Sequence, residues 1–329
     1  MNEIAKAPAG ADPRFSFHDF APVQQGFAEA LTEGLAQPHK SIPARFLYDE
    51  AGSRLFDAIC ELPEYYLTRT ELAILTARAG EIAAAVGPEV ALLEFGAGSS
   101  QKARILLDAL ERPAAYEPID VSRGHLMALA DEVARAYPRL QVQAICADYT
   151  QPLTLPELSP RRRRTGFFPG STVGNLTPDD ARAFLAAWAG QLGPDGLMVV
   201  GVAGKAAAEV VLPAYDDAQG VTARFTLNML ARANRELGAG FDLDGFRHTP
   251  VYDAQSGRLA IYLTSLKAQA ATVAGRRFAF AEGEQVHIEE SNKYAVKDFQ
   301  ALARSAGYRS EDVWCDDAEL FCVHVLRVV

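Results

Sequence analysis

An open α/β sheet carrying a second, inserted α+β domain is the fold class the sequence predicts, and three observations predict it. Apolar strand-like runs and amphipathic segments alternate from about residue 70 to residue 205. A glycine turn, Glu94-Phe95-Gly96-Ala97-Gly98, ends the first of these runs and opens a helix. After residue 206 the alternation gives way to period-2 segments, and a late helix with two strands then closes the chain. The expected division is a Rossmann-like domain of residues 70–205 plus 292–329, a substrate-binding domain of residues 21–69 plus 206–291, and a loosely ordered arm of residues 1–20.

The arm contains Ala, Pro and Asp without clear period. A helix is expected over 23–35, a proline-broken aromatic loop over 40–49, and a helix over 51–62 that Pro63 ends. Tyr65 and Tyr66 follow beside proline, and two adjacent tyrosines are costly to expose, so they are expected to pack. A helix over 70–86 leads to the strand Val90-Ala91-Leu92-Leu93. Ala103, Leu106, Leu107 and Leu110 then mark a helix by their spacing. Residues 116–121, 141–149, 165–170 and 196–202 read as further strands, with helices over 124–136 and 179–192. Thr177 reads as the N-cap of the second of these helices, with Asp180 in its acid-favouring first turn. A helix is expected near 221–237, antiparallel strands within 247–269, 276–281 and 285–288, and a turn at 289–294. A helix over 296–306 and strands over 311–316 and 320–328 complete the reading.

The chain has 329 residues, about half of them apolar, which is enough for a substantial core. A net charge of −10 argues against a general nucleic-acid or anionic-membrane surface. The basic run Arg161–Arg164 reads as a solvated turn before a strand. Cys60, Cys146, Cys315 and Cys322 show no zinc spacing and indicate neither a metal site nor a disulfide framework. There is no apolar leader and no run of about 18 apolar residues, so a cytoplasmic location, without membrane or obligate protein partner, is expected.

The glycine turn lets backbone approach a ligand, and free N–H groups at the helix start suit a carboxylate or phosphate. A dinucleotide fingerprint would place a third glycine where Gln101 stands, which weakens an NAD reading. Glu94 before the turn and Asp120 at the end of the next strand instead fit S-adenosylmethionine (SAM), because a carboxylate there can accept both ribose hydroxyls. Asp148 and Tyr149 end the third strand, where an acid can accept from the adenine amine and an aromatic can flank the base. Gly170, Ser171, Thr172, Gly174 and Asn175 lie where a substrate should meet the methyl donor.

Through LYDEAGSRLF, LPEYYLTRTE, LLEFGAGSSQKARILLDAL, GSTVGNLTP, AYDDAQGVTARF and NRELGAGFDLDGF, in that order, the chain resembles the histidine Nα-methyltransferase family of ergothioneine biosynthesis. The resemblance implies a class I methyltransferase domain with the second domain inserted, and SAM-dependent trimethylation of the α-amine of L-histidine to hercynine. By position it assigns Tyr48, Gly96, Lys102, Asp120, Asp148 and Tyr149 to the cofactor, with Lys102 facing the carboxylate of its methionine part. It assigns Asn175 and Tyr215 to the substrate carboxylate, Tyr65 and Gly170 to the α-amine, and Glu289 and Ser291 to the imidazole. Tyr65 and Asn175 are expected to orient the reacting amine. At Ile261 the family has Met, and Glu290 replaces what is usually apolar. These departures leave open the same chemistry on another amino acid, such as an aromatic one. A non-catalytic SAM-binding regulator is the more distant alternative.

Overall fold

The structure, a computed structural model, describes residues 14–20, 25–158 and 162–329, and the chain divides into two compact units. One comprises Thr70–Gly204 and Tyr294–Val329 with the described residues before position 24; the other comprises Gln24–Arg69 and Lys205–Lys293.

Elements are numbered along the chain. The first unit contains β1 (Phe15–Asp19), β2 (Ala91–Phe95), β3 (Ala115–Asp120), β4 (Gln141–Cys146), β5 (Arg164–Phe168), β6 (Leu197–Ala203), β12 (Tyr308–Cys315) and β13 (Phe321–Val328). Among the described residues these form one sheet in the order β1-β4-β3-β2-β5-β6-β13-β12. The ladders from β1 to β6 are parallel, whereas β13 and β12 add antiparallel. Parallel strands need helical crossovers, supplied by α4 (Gln101–Ala109), α5 (Arg123–Ala136) and α6 (Pro178–Leu192). Most of α3 (Tyr66–Val86) and all of α9 (Val296–Ser305) complete the unit. Every residue of β2 is buried, which is why the stretch before Glu94 reads as a continuous apolar run. Because β3 lies on one side of β2 and β5 on the other, the strand order reverses there, and the carboxyl end of β2 borders the crevice of an open sheet. Thr177 caps α6 by accepting from the Asp180 N–H at 3.2 Å, as its sequence predicts.

Three expectations are corrected in this unit. Residues 15–19, expected within a loose arm, form β1 in parallel register with β4, from Phe15 opposite Val142 to Asp19 opposite Cys146. Its partner lies over 120 residues away in sequence, so local composition carries little trace of it. Residues 1–13 of the arm, and Val23 at the predicted helix start, lie outside the described residues. The basic run is no solvated turn: Arg164 clasps the fully buried Glu117 through Nε at 2.7 Å and Nη2 at 2.9 Å, and Arg163 donates to the Val86 carbonyl. Arg161 lies outside the described residues. Finally, Cys315 and Cys322 are disulfide-bonded, because the β12–β13 register sets them directly opposite each other.

The second unit contains α1 (Phe27–Leu35), α2 (Glu50–Cys60), α7 (Ala208–Val211), α8 (Val221–Leu237), β7 (Phe246–Asp253), β8 (Arg258–Ser265), β9 (Gln269–Val273), β10 (Arg276–Phe280) and β11 (Gln285–Asn292). The order β11-β8-β7 makes an antiparallel sheet, and β9 pairs with β10. Leu31, Leu35, Met229, Leu230, Leu263, Val273 and Phe280 share its core. Asp49 caps α2 by accepting from Gly52 N–H at 2.8 Å, and Asp217 accepts from Val221 and Thr222 N–H at 2.9 and 2.7 Å at the start of α8. A Cβ on Gly52 would lie 1.7 Å from the Leu47 carbonyl oxygen, so only glycine fits that turn. Residues 289–292, expected as a turn, continue β11. They are polar, and polar residues at the end of an otherwise alternating run read as a turn until a buried use for them is known.

Two predictions follow from buried carboxylates. Glu94 on β2 is 2% exposed and accepts from the Tyr116 hydroxyl on β3; burial pushes it up to about 8, against the pull of Tyr116 and Lys102. The folded state therefore keeps a proton that the unfolded chain releases near pH 4.5, so this group's contribution to stability is lost as pH rises from about 4.5 to about 8. In Glu94→Gln the dependence of the urea midpoint on pH between 5 and 8 should flatten; an unchanged slope would contradict this assignment. Arg164→Met, which strands the Glu117 charge, should cost about 3–5 kcal/mol in equilibrium denaturation.

Candidate functional site

In the first unit the predicted residues gather at the carboxyl ends of β2, β3 and β4. Gly96 has φ +72°, a conformation that glycine adopts without strain, and its N–H donates to the Ile119 carbonyl at 2.9 Å. A Cβ on Gly96 would lie 3.4 Å from the Tyr149 hydroxyl, so the turn and that ring face each other closely. Asp120 ends β3 half-buried, with Oδ1 accepting from Ser122 N–H at 2.7 Å; burial raises its pKa, opposed by the backbone donors. Asp148 Oδ1 accepts from Thr150 N–H at 2.9 Å and Thr150 Oγ1 at 2.6 Å, an Asx turn that fixes the loop. The Tyr149 ring meets Phe95, Phe168 and Phe184 edge-on at 5.9–6.1 Å, and its backbone carbonyl accepts from Trp188 Nε1 at 3.1 Å.

Lys102 Nζ pairs with Glu71 at 2.5 Å, and both Glu71 oxygens accept from Gly170 N–H, at 2.8 and 3.0 Å. Gly170 itself has φ +79°, and a Cβ there would lie 3.6 Å from Lys102 Nζ. Lys102 and Gly170, assigned to cofactor and substrate, are thus joined through Glu71, whose carboxylate is almost wholly buried. A Cβ on Gly201 of β6 would lie 2.2 Å from Glu71 Oε1, so that glycine makes the room the carboxylate occupies. Sequence reasoning missed Glu71, because an acid near the start of a predicted helix reads as a favourable helix-terminus charge. Asn175 stands exposed at the end of a 3₁₀ turn, Thr172–Asn175, that follows Gly170.

The second unit holds the other candidates. Tyr48 lies against Phe56 and Phe225 at 5.5 and 5.4 Å, and Phe56 also meets Tyr65 at 6.3 Å. Tyr65 in turn meets Tyr215 edge-on at 6.2 Å. Arg69 ties down the loop that carries Tyr65, donating to the carbonyls of Leu62 at 3.1 Å, Tyr65 at 3.2 Å and Pro63 at 2.6 Å. Burial raises the Tyr65 phenol well above its ordinary value, with the Tyr215 ring group adding to the effect. Tyr215 is raised too, chiefly by burial, so both phenols stay protonated at working pH.

Glu289 and Ser291, alternate residues of β11, share a face, and a bulge before them decides which face it is. His287 is opposite Tyr262, but Glu289 is opposite Ile261 and Ser291 opposite Leu259, which leaves Ile288 as the extra residue. Adjacent positions on β8 face opposite ways, so Glu289 turns to the side of Ile261, Leu259 and Leu263, away from His287. Glu290 falls on the other face, where Arg258 binds it through Nε at 2.8 Å. The departure at Glu290 thus lies off the face that Glu289 shares with Ile261. Tyr215 Oη and Ser291 Oγ are 3.2 Å apart, and His248 Nε2 donates to the Tyr215 carbonyl at 2.7 Å. Burial pushes Glu289 up, while the Lys293 ammonium opposes that shift. Lys293 was also missed: at the end of a polar stretch it reads as solvated, yet it is 1% exposed.

These groups suit the two halves of the expected chemistry. The half-buried Asp120 carboxylate, the open glycine turn and the Tyr149 ring fit a nucleoside, and the Lys102 ammonium fits an amino-acid carboxylate. The carboxylate and hydroxyls of Glu289, Ser291 and Tyr215 fit a polar ring and a small anion. Among the described residues no group of three or more His, Cys, Asp and Glu is arranged to hold a metal ion, and no helix is long and apolar enough to cross a membrane.

The chain matches, over residues 27–328, a family model described as histidine-specific methyltransferase, SAM-dependent. It is 40% identical over 301 residues to histidine N-alpha-methyltransferase of Mycolicibacterium smegmatis, with 88% of this chain and 92% of that protein covered. The protein of the same description from Mycobacterium tuberculosis is 38% identical over 290 residues, with 87% and 89% covered. Ergothioneine biosynthesis protein 1 of Neurospora crassa is 30% identical over 284 residues, which are 84% of this chain but 32% of that longer protein.

Proposed function

The chain belongs to the family of SAM-dependent, histidine-specific methyltransferases, and on that footing we propose that it methylates the α-amine of L-histidine three times. The product would be hercynine, Nα,Nα,Nα-trimethylhistidine, and the reaction the first step of ergothioneine biosynthesis. The observation that carries the substrate is the bulge in β11, which sets Glu289 and Ser291 on one face beside Ile261. A neutral imidazole offers one N–H and one lone pair. Glu289 would accept from the N–H, and Ser291 would donate to the other nitrogen.

SAM, when bound, supplies an electrophilic methyl group. The residues of this chain bind and orient. Asp120 would take the ribose hydroxyls, Asp148 and Tyr149 the adenine, Gly96 the close approach of backbone, and Tyr48 would complete the cofactor set. Lys102, steadied by Glu71, would face the amino-acid carboxylate of the cofactor. Asn175 and Tyr215 would hold the carboxylate of histidine, while Gly170 and Tyr65 line its amine. Alignment supplies most of the rate in such a transfer. A strong base is not needed, since the α-amine loses its proton within reach of working pH. Tyr65, kept protonated by burial, would orient the amine in the first two transfers by accepting one of its N–H groups; the dimethylated amine has none left to give. The Tyr65 ring, with Tyr215, would also face the quaternary ammonium that builds up, a contact that cation–π attraction favours.

The deciding experiment offers the protein SAM and an equimolar mixture of the standard amino acids, with products followed by mass spectrometry. Histidine should gain one, two and three methyl groups. Methylation of another amino acid would overturn the substrate, and no product at all would favour a non-catalytic role. Tyr65→Phe should slow the first two transfers by about tenfold or more while leaving SAM affinity unchanged, and unaltered rates would remove the hydroxyl from the mechanism. Because Ile261 and Met differ in shape more than in volume, Ile261→Met should move the histidine KM by no more than about fivefold.

A further inference from the structure

Lys293 follows β11 with its Nζ almost cut off from water; burial lowers its pKa to about 7 against the support of Glu289, and a charge there costs several kcal/mol unless it is well met. What meets it is unusual. Its Nζ donates to Tyr215 Oη at 2.5 Å and to Ser291 Oγ at 2.8 Å, and it sits 4.7 Å from the centre of the Tyr215 ring. Both partners are hydroxyls, and both are residues the proposed function assigns to the substrate. Glu289 is the charged group whose field supports the ammonium.

The backbone at this point is fixed as firmly. Lys293 N–H donates to the Gly257 carbonyl at 2.8 Å. Gly257, at the turn between β7 and β8, has φ +81°, and a Cβ on it would lie 2.3 Å from the Lys293 carbonyl oxygen. A bare glycine is therefore needed for the hairpin turn to close on Lys293 and aim its side chain back along β11.

Nζ has an N–H for each of the two hydroxyls it touches, three when charged and two when neutral, whereas a hydroxyl has one proton and two lone pairs. With Lys293 occupying a lone pair on each, Tyr215 and Ser291 are left to direct their own protons elsewhere. At most one of those protons is used in the 3.2 Å Tyr215–Ser291 contact, so at least one is left for another acceptor. We propose that Lys293 is a positioning residue for the amino-acid substrate, imposing donor polarity on Tyr215 and Ser291 so that they recognise a carboxylate and an unprotonated ring nitrogen. The inference rests on the histidine reading above and deepens it. It also distinguishes the two ends of the ring: Glu289 accepts, and Ser291, held by Lys293, donates.

The test compares wild type, Lys293→Met, Tyr215→Phe and the double variant, by calorimetric binding of histidine in the presence of S-adenosylhomocysteine and by steady-state kinetics. Lys293→Met should raise the histidine Kd and KM by about tenfold or more, with the affinity for S-adenosylhomocysteine within about twofold of wild type. Tyr215→Phe should cost much less in the Lys293→Met background than in wild type, since the hydroxyl's polarity is already lost. Lys293→Gln, which keeps a donor without the charge, should recover part of the histidine affinity, and it carries the test alone if Lys293→Met does not fold. Unchanged histidine affinity in these variants, or effects of Tyr215 and Lys293 that simply add, would overturn the inference. Parallel losses of affinity for both ligands would overturn it too, because they mark a residue that only supports the fold. Wild type that binds no histidine would instead overturn the substrate reading itself.

Discussion

Charges taken out of water must be met within the protein, and this constraint organises the functional residues of each unit. Glu71 enters the first unit only because Lys102 neutralises it, Gly170 N–H donates to both its oxygens, and Gly201 leaves room for it. Glu94 takes the other course available to a buried carboxyl and holds its proton, hydrogen-bonded to Tyr116. Away from the site, Glu117 is matched by the two-pronged guanidinium of Arg164. In the second unit the buried cation is Lys293, and hydroxyls do the matching. An interior of apolar residues would be cheaper at each of these places. At Glu71 the buried charge holds two groups in place, the Lys102 ammonium and the Gly170 turn.

Geometry in the second unit hinges on one extra residue. Without the bulge at Ile288, Glu289 and Ser291 would share the face of His287, where the β8 residues are Ala260, Tyr262 and Thr264. With it, the strand's last residues turn to the face of Leu259, Ile261 and Leu263, and burial begins to act on them. Glu289 rises from its ordinary value and Lys293 falls, both for lack of water. Polar residues at the end of a strand thereby come to lie beside buried neighbours through a register shift that their identities do not announce.

That shift also marks how far the chain could be read without coordinates. The alternation of strands and helices, the glycine turn and the acids after it lay open in the sequence, because each depends on neighbours a few residues away. The blocks shared with the methyltransferase family pointed to the correct family. What stayed hidden depends on distant partners. Phe15–Asp19 becomes a strand only because β4 is beside it, and Cys315 bonds Cys322 only because of a hairpin register. The run at Arg163 and Arg164 looks solvated until Val86 and Glu117 are placed near it. Glu71 and Lys293 were hidden for the same reason: a lone charge in sequence carries no mark of the group that will neutralise it.

The same distinction separates scaffold from chemistry inside the shared blocks. In LYDEAGSRLF the aspartate caps α2 and also binds Asn228 and Arg235, while the glycine clears the Leu47 carbonyl; Tyr48 is the residue left over. In AYDDAQGVTARF Asp217 caps α8 and Gly220 takes a left-handed conformation, which leaves Tyr215. In LPEYYLTRTE Arg69 gathers three carbonyls, and Tyr65 rides on the loop so formed. These three blocks thus fix a turn, two with a cap and a glycine and one with an arginine, and each carries on it a tyrosine assigned to the site. Such a division explains why the blocks are long although the chemistry asks little of them. In the role proposed for Tyr65, a tyrosine that orients an amine would need a fixed backbone more than a reactive neighbour, and a fixed backbone takes several residues to make.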